Sequence, residues 1–114
     1  MDIIEAAEDG NLQRVQELIR NGADVHAQDE QALIEASRYG HLPVVEYLLA
    51  HGANIHAQDD QALIDASRNG HLPVIEYLLA QGVNINVLTV EQQRLYQKFV
   101  SNKFLFLNTI RLKL

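Results

Sequence analysis

The chain repeats itself every 30 residues. Gln31 to Asp60 is followed at once by a near copy of itself, Gln61 to Asn86. Gly10, Gly40 and Gly70 mark one phase of this period, and Gly22, Gly52 and Gly82 mark a second. Self-similarity at a fixed period in this range is the signature of a stacked array, in which each unit buries its apolar face only against the next. The period therefore constrains the fold more tightly than composition does.

Each unit reads as two short helices. In the first, Asp2 to Glu5 has capping-box spacing, with Asp in the place of Ser or Thr. Ile3, Ala6 and Ala7 form its apolar face, and Gly10 ends the helix. A second helix spans Leu12 to Arg20, with Leu12, Val15, Leu18 and Ile19 at helical spacing. The next unit repeats the plan. Its first helix runs from Gln31 to Tyr39, with Leu33 and Ala36 inward and with Ala32, Ala36 and Ser37 small enough for a neighbouring helix to approach. His41-Leu42-Pro43 opens its second helix, where the missing proline N–H is harmless. Leu42, Val45, Leu48 and Leu49 form its stripe. Ala53 to Asp60 then crosses to the following unit as an extended finger. Helices this short are marginal alone in water, so stacking has to hold them.

These motifs resemble the ankyrin repeat. The match lies in Ala36-Ser37-x-x-Gly40-His41-Leu42 and in Val44-Val45-x-Tyr47-Leu48-Leu49-x-x-Gly52-Ala53-Asn54-Ile55-His56-Ala57-Gln58-Asp59. Ala66 to Asn86 repeats them closely, and Ala6 to Asp29 repeats them in the form of a capping unit. The resemblance implies an all-α solenoid of stacked helix–turn–helix units with short finger loops. Its units would be a capping repeat over residues 1–30, full repeats over 31–60 and 61–90, and an irregular helical cap over 91–114. It also implies a non-enzymatic function in protein recognition. Two departures stand out. The usual repeat is about 33 residues long and opens with Thr-Pro-Leu-His; here Gln31-Ala32-Leu33-Ile34 takes that place. Three finger residues are missing after Asp29 and Asp59, so the finger should be short. Thirty-residue units of this kind resemble those in ankyrin proteins of large DNA viruses of amoebae and of some intracellular bacteria.

By the same resemblance, the binding face would comprise the finger tips and the exposed ends of the first helices. Those positions are Gln28, Glu30, Arg38, Tyr39, Gln58, Asp60, Arg68 and Asn69, with His51 at the rim. Tyr39 beside Arg38 is the expected anchor, because Tyr and Arg dominate interface energetics. The two full repeats differ mainly at exposed sites: Tyr39 against Asn69, His51 against Gln81, His56 against Asn86, and Glu35 against Asp65. A recognition surface would show that pattern, and so would drift on solvated positions.

Charge narrows the partner class. Residues 1–90 carry four arginines against fourteen acids, whereas residues 91–114 carry five cations against one acid. An acidic body repels phosphate backbones, which argues against nucleic acid. No apolar stretch reaches the ~18 residues of a membrane span. The start of the chain lacks the basic and apolar pattern of a secretory signal. The absence of cysteine fits a reducing compartment, and the expected location is the cytoplasm, of the host cell for a viral protein or an effector.

No cofactor or metal is expected. His26 and His56 are one period apart, as are His41 and His71. Neighbouring helices sit about 8–10 Å apart, too far for equivalent histidines to share zinc at ~2.0–2.1 Å. The resemblance gives His41 and His71 a structural role, bonding backbone between turns. His26, His51 and His56 read as solvated or as part of the binding rim. Asp29-Glu30 and Asp59-Asp60 suit solvated turn caps and lack calcium-loop spacing. There is no Gly-rich phosphate loop and no nucleophile elbow, and Ser37 and Ser67 are explained by packing.

The pattern lapses after Leu88. Thr89 to Gln92 is a capping box, and Leu95, Tyr96, Phe99 and Val100 make an apolar helix face. Ser101-Asn102 should break this helix. Lys103 to Leu114 fits a helix or a strand, and two helices are the expected arrangement. The tail would cap the open end of the stack. Its alternatives are homo-oligomerisation through exposed Phe and Leu, or docking to an acidic or membrane surface.

Overall fold

Capping and turn chemistry decide where the helices begin. The computed structural model describes the backbone of residues 2–113 and the side chains of residues 2–101. Asp2 Oδ1 accepts from the Glu5 N–H at 2.9 Å and starts α1 (Ile3–Glu8). Asn11 Oδ1 does the same for Arg14 at 3.1 Å and starts α2 (Leu12–Arg20). The second unit holds α3 (Ala27–Arg38) and α4 (Leu42–Ala50), and the third holds α5 (Ala57–Arg68) and α6 (Leu72–Ala80); the first residues of α3 and α5 form a separate turn, and the right-handed helix proper starts at Gln31 and Gln61. A 3-10 turn over Ile85–Val87 leads into α7 (Val90–Lys113). The described residues contain no strand, and the fold is all-α.

The first helices α1, α3 and α5 lie side by side, with α2, α4 and α6 as a second layer. One continuous core runs through the stack. Its largest buried members include Leu33, Leu48, Leu63 and Leu78, with Val15, Val45 and Val74 between them. Ala6, Ala36 and Ala66 are fully buried on successive first helices. Their lack of bulk lets the layers close, as the small residues of the sequence require. Replacing one of these buried leucines by Ala would cost about 2–5 kcal/mol, a large part of a small domain's stability. The molecule measures 52 × 32 × 20 Å with a radius of gyration of 15.7 Å, above the ~13 Å of a compact chain this long. Growth along one axis is what stacking produces.

The finger departs from the expected extended crossing. Gln28, Asp29 and Glu30 have φ of 52°, 56° and 68°, and Gln58, Asp59 and Asp60 have 54°, 58° and 63°. Each set is one turn of left-handed helix without a glycine. Three coiled residues advance roughly 4.5 Å, against ~10 Å if extended. This tight coil is how a unit of 30 residues still closes onto the next. The left-handed region costs about 1–2 kcal/mol per L-residue, and Asp is among the residues that visit it most readily. Local bonds offset part of that cost. Asp24 Oδ1 accepts from His26 N at 2.9 Å, and Asn54 Oδ1 accepts from His56 N at 3.0 Å. The Glu30 and Asp60 N–H groups donate to the His26 and His56 carbonyls. Gln58 Nε2 also donates to the Asp29 carbonyl at 3.0 Å, tying one turn to the next.

The tail also departs from expectation. Thr89 Oγ1 accepts from Gln92 N at 3.1 Å and Gln92 Oε1 accepts from Thr89 N at 3.0 Å, the reciprocal capping box. The helix then continues through Ser101-Asn102, so α7 is one element of 24 residues and not two. Neither residue forbids helix; their lower propensity costs only a few tenths of a kcal/mol, roughly. The run Phe104 to Leu107 lies outside the residues whose side chains are described.

Candidate functional site

A polar ladder runs across the first helices. Gln31 Nε2 donates to Glu35 Oε1 at 2.7 Å, four residues on. Arg38 Nη1 donates to the same oxygen at 2.9 Å. Arg38 then reaches the next unit, where Nε and Nη2 both donate to Asp65 Oδ2, at 3.2 and 3.0 Å. Gln61 Nε2 donates to Asp65 Oδ1 at 2.8 Å, and the Asn69 side-chain amide donates to the Asp65 carbonyl at 2.8 Å. Glu35 and Asp65 are both buried. Buried carboxylates need charge-assisted partners, and the ladder supplies them. The hydrogen bond to Asp65 raises the Arg38 pKa above its ordinary value, against a smaller opposing effect of burial.

This ladder changes the roles of residues assigned to the binding face. Arg38 is a strap between repeats, with 38% of its side chain still accessible. Glu30 is 4% exposed and is withdrawn from the surface. Its carboxylate bonds the His26 ring. Burial follows from the left-handed turn, which folds residue 30 back under the loop instead of presenting it at a tip. Asp60 is half-buried and meets His56 Nδ1 at 2.6 Å. His51 lies at the end of α4, stacked on Tyr47 with ring centroids 4.0 Å apart and bonded to the Tyr47 carbonyl. Gln28, Gln58, Arg68 and Asn69 are exposed, and Tyr39 exposes 47% of its surface at the end of α3.

Gln31, Glu35, Gln61 and Asp65 form part of this network and were not among the expected site residues. Their signal was in the chain: Gln31, Glu35 and Arg38 have four- and three-residue spacing, repeated at Gln61, Asp65 and Arg68. Asp29 and Asp59 are also exposed at the turn tips, so the outward charge of the turns comes from these two aspartates.

The histidines after the turn glycines bind structure together. His41 Nε2 donates to the Glu8 carbonyl at 2.8 Å, joining the first and second units. The His71 ring lies over Gly40 as the His41 ring lies over Gly10. Among the described residues, no group of three or more His, Asp or Glu is placed to hold a metal ion, and no helix is long and apolar enough to cross a membrane.

A protein-family model described as ankyrin repeats (3 copies) matches residues 3–89. Comparison with curated proteins gives no match.

Proposed function

The chain belongs to the ankyrin-repeat family, whose repeats are generally protein–protein interaction modules without enzymatic activity, and we propose that it captures a protein partner on the face formed by the left-handed turns and the ends of the first helices. The observation that carries this reading is Tyr39, a large aromatic left 47% exposed beside a guanidinium already fixed by two carboxylates. An immobilised Arg next to an exposed Tyr needs little further ordering on binding, which favours affinity. Gln28, Asp29, Gln58, Asp59 and Asn69 supply a polar, acidic rim. A protein partner with a basic or polar surface fits that rim better than nucleic acid does. The cytoplasm suits a cysteine-free module of this kind.

Substituting Gln28, Tyr39 and Asn69 together by Ala tests this site. Partners captured from cells by the wild-type chain should be lost, with the circular-dichroism spectrum unchanged. Undiminished capture would move the site elsewhere. Arg38 is left intact in that variant because its loss would disturb the stack itself.

A second reading, self-association through α7, draws on Val90 and Leu95, which are 65% and 63% exposed, and on exposed Val100. Light scattering of the full chain beside a version ending at Asn86 tests it. A dimeric full chain would favour this interface. A monomeric full chain with an aggregating truncation would favour a cap.

A further inference from the structure

Both internal junctions are closed by a ring from the following unit, and the second is closed by a carboxylate as well, since the first unit has Glu8 where the second has Arg38. A Cβ built on Gly10 would lie 2.4 Å from His41 Nδ1, and one on Gly40 would lie 2.5 Å from His71 Nδ1. In both cases an imidazole from 31 positions further on sits directly over the turn. Likewise, Arg38 takes a carboxylate from 27 positions further on, Asp65. In the third unit the same two steps land on Ser101 and Leu95. Among the described residues, nothing approaches within 4 Å of a Cβ on Gly70. The one ion pair of Arg68 among the described residues is with its own Asp65, at 3.9 Å, and 65% of its side chain is accessible.

A groove of about 210 Å³ opens at this place. Ser67, Gly70, Leu72 and Ile75 form one wall, and Tyr96 and Phe99 of α7 form the other. The repeat residues that receive a ring and a carboxylate at the preceding junction are thus intact, while the described residues of α7 place neither a ring over Gly70 nor a carboxylate against Arg68. Leu95 of this helix, which stands where Asp65 does one unit earlier, lines the rim of the groove and stays 63% exposed, so α7 places an apolar side chain where the preceding junction has a carboxylate.

We propose that this groove, which adjoins the proposed binding face at Arg68 and Asn69 but does not include Tyr39, is a docking site for a partner helix that ends in a turn bearing an imidazole or aromatic ring. The ring sits over Gly70, and a carboxylate six residues before it pairs with Arg68. That spacing is the one by which Asp65 and His71 close the preceding junction. Charge complementarity favours this occupant, since Arg68 is a cation with no strong partner among the described residues. A second copy stacked head to tail fits less well. Its leading unit carries Glu5 and Asn11 at the corresponding positions, which gives the carboxylate but no ring.

The experiment follows the backbone amide of Gly70 by NMR in the full chain, with Gly10 and Gly40 as internal controls. One probe is 3-phenylpropionate, with its neutral amide as a twin. The other is a capped peptide copying residues 61–74, beside the same peptide with Asp65→Asn and His71→Ala. Saturable shifts at Gly70 are expected with both the acid and the peptide, and little change at Gly10 or Gly40. Arg68→Gln should weaken binding of the acid roughly two- to five-fold, as for an exposed ion pair, and leave the amide unaffected. Ser67→Leu should obstruct both probes.

Absence of a saturable Gly70 shift at tens of millimolar acid would overturn the proposal. So would binding of the acid alone, because the groove would then be a small-molecule pocket. Equal binding of the two peptides would also overturn it, as would Gly70 shifts that depend on protein concentration without any probe, which would identify a second copy. None of these outcomes bears on partner capture through Tyr39.

Discussion

Arg38 and Arg68 occupy the same place in successive units, and so do Gly40 and Gly70, yet their surroundings differ. At the junction between the second and third units, Arg38 is clamped by Glu35 and Asp65, and Gly40 lies under the His71 ring. At the end of the third unit, Arg68 extends toward water and Gly70 faces a groove. The residues are identical, so the difference lies in the neighbour stacked against each of them. In a one-dimensional stack, a side chain's contribution is largely a property of the interface with the next unit.

The sharpest way to break this comparison is to place a methyl group on each glycine. Both have positive φ, 77° at Gly40 and 70° at Gly70, so Ala pays a similar backbone cost of about 1–2 kcal/mol at either site. Only at Gly40 does the new Cβ collide with a ring, 2.5 Å away. Overpacking adds roughly 1–3 kcal/mol there. Urea titration should place Gly40→Ala well below Gly70→Ala in midpoint. Equal midpoints would mean that His71 does not close the junction.

The arginines give the next largest contrast. Arg38→Ala strands a buried Asp65, which costs about 1–3 kcal/mol; the lower half is expected because Arg38 keeps some exposure and solvent screens it. Arg68→Ala should change stability by no more than about 0.5 kcal/mol. Combining Arg38→Ala with Asp65→Asn sharpens the test. The double variant should recover part of the loss, because the uncompensated charge is gone. Purely additive losses would detach Arg38 from Asp65.

The helix pairs of the three repeats, the turn glycines and the structural histidines were legible in the chain, because each is set by a local pattern repeated with the period; the single helix α7, outside the period, was not. The course of the finger was not. Its shortening could be read from the missing residues, but the left-handed coil depends on accumulated small terms: Asp-rich composition, two Asx turns and the Gln58 tie. The third unit shows what decides it. Asn84 makes the same Asx turn, accepting from Asn86 at 2.8 Å. Leu88, Thr89 and Val90 then stand where Gln58, Asp59 and Asp60 do, and Leu88 is extended at φ −83° and ψ 154°. Branched Thr and Val resist the left-handed region. Asp59→Val should accordingly cost about 1–2 kcal/mol, read by urea titration, while the exposed Val90→Asp changes stability little. Burial of Glu30 was hidden for the same reason, since an extended finger would have left it in water.

The smallest effect is a pH dependence at the first left-handed turn. His26 bonds the buried Glu30 carboxylate, whereas His56 meets the less buried Asp60. The bond to Glu30, then its charge, raises the His26 pKa above 6.5, with Asp24 adding a little and desolvation opposing. Because the folded value is the higher one, the folded state binds the proton more tightly than the unfolded state does. The resulting stabilisation is fully present below pH 6.5, the unfolded value, and is lost as pH rises through the folded one. Thermal melts should therefore show a modest fall in Tm on raising pH from mildly acidic to mildly alkaline, and His26→Gln should flatten that fall. His26 is largely exposed, so added salt should shrink the effect as well. A pH profile unchanged by His26→Gln would leave the turn held by its backbone bonds alone.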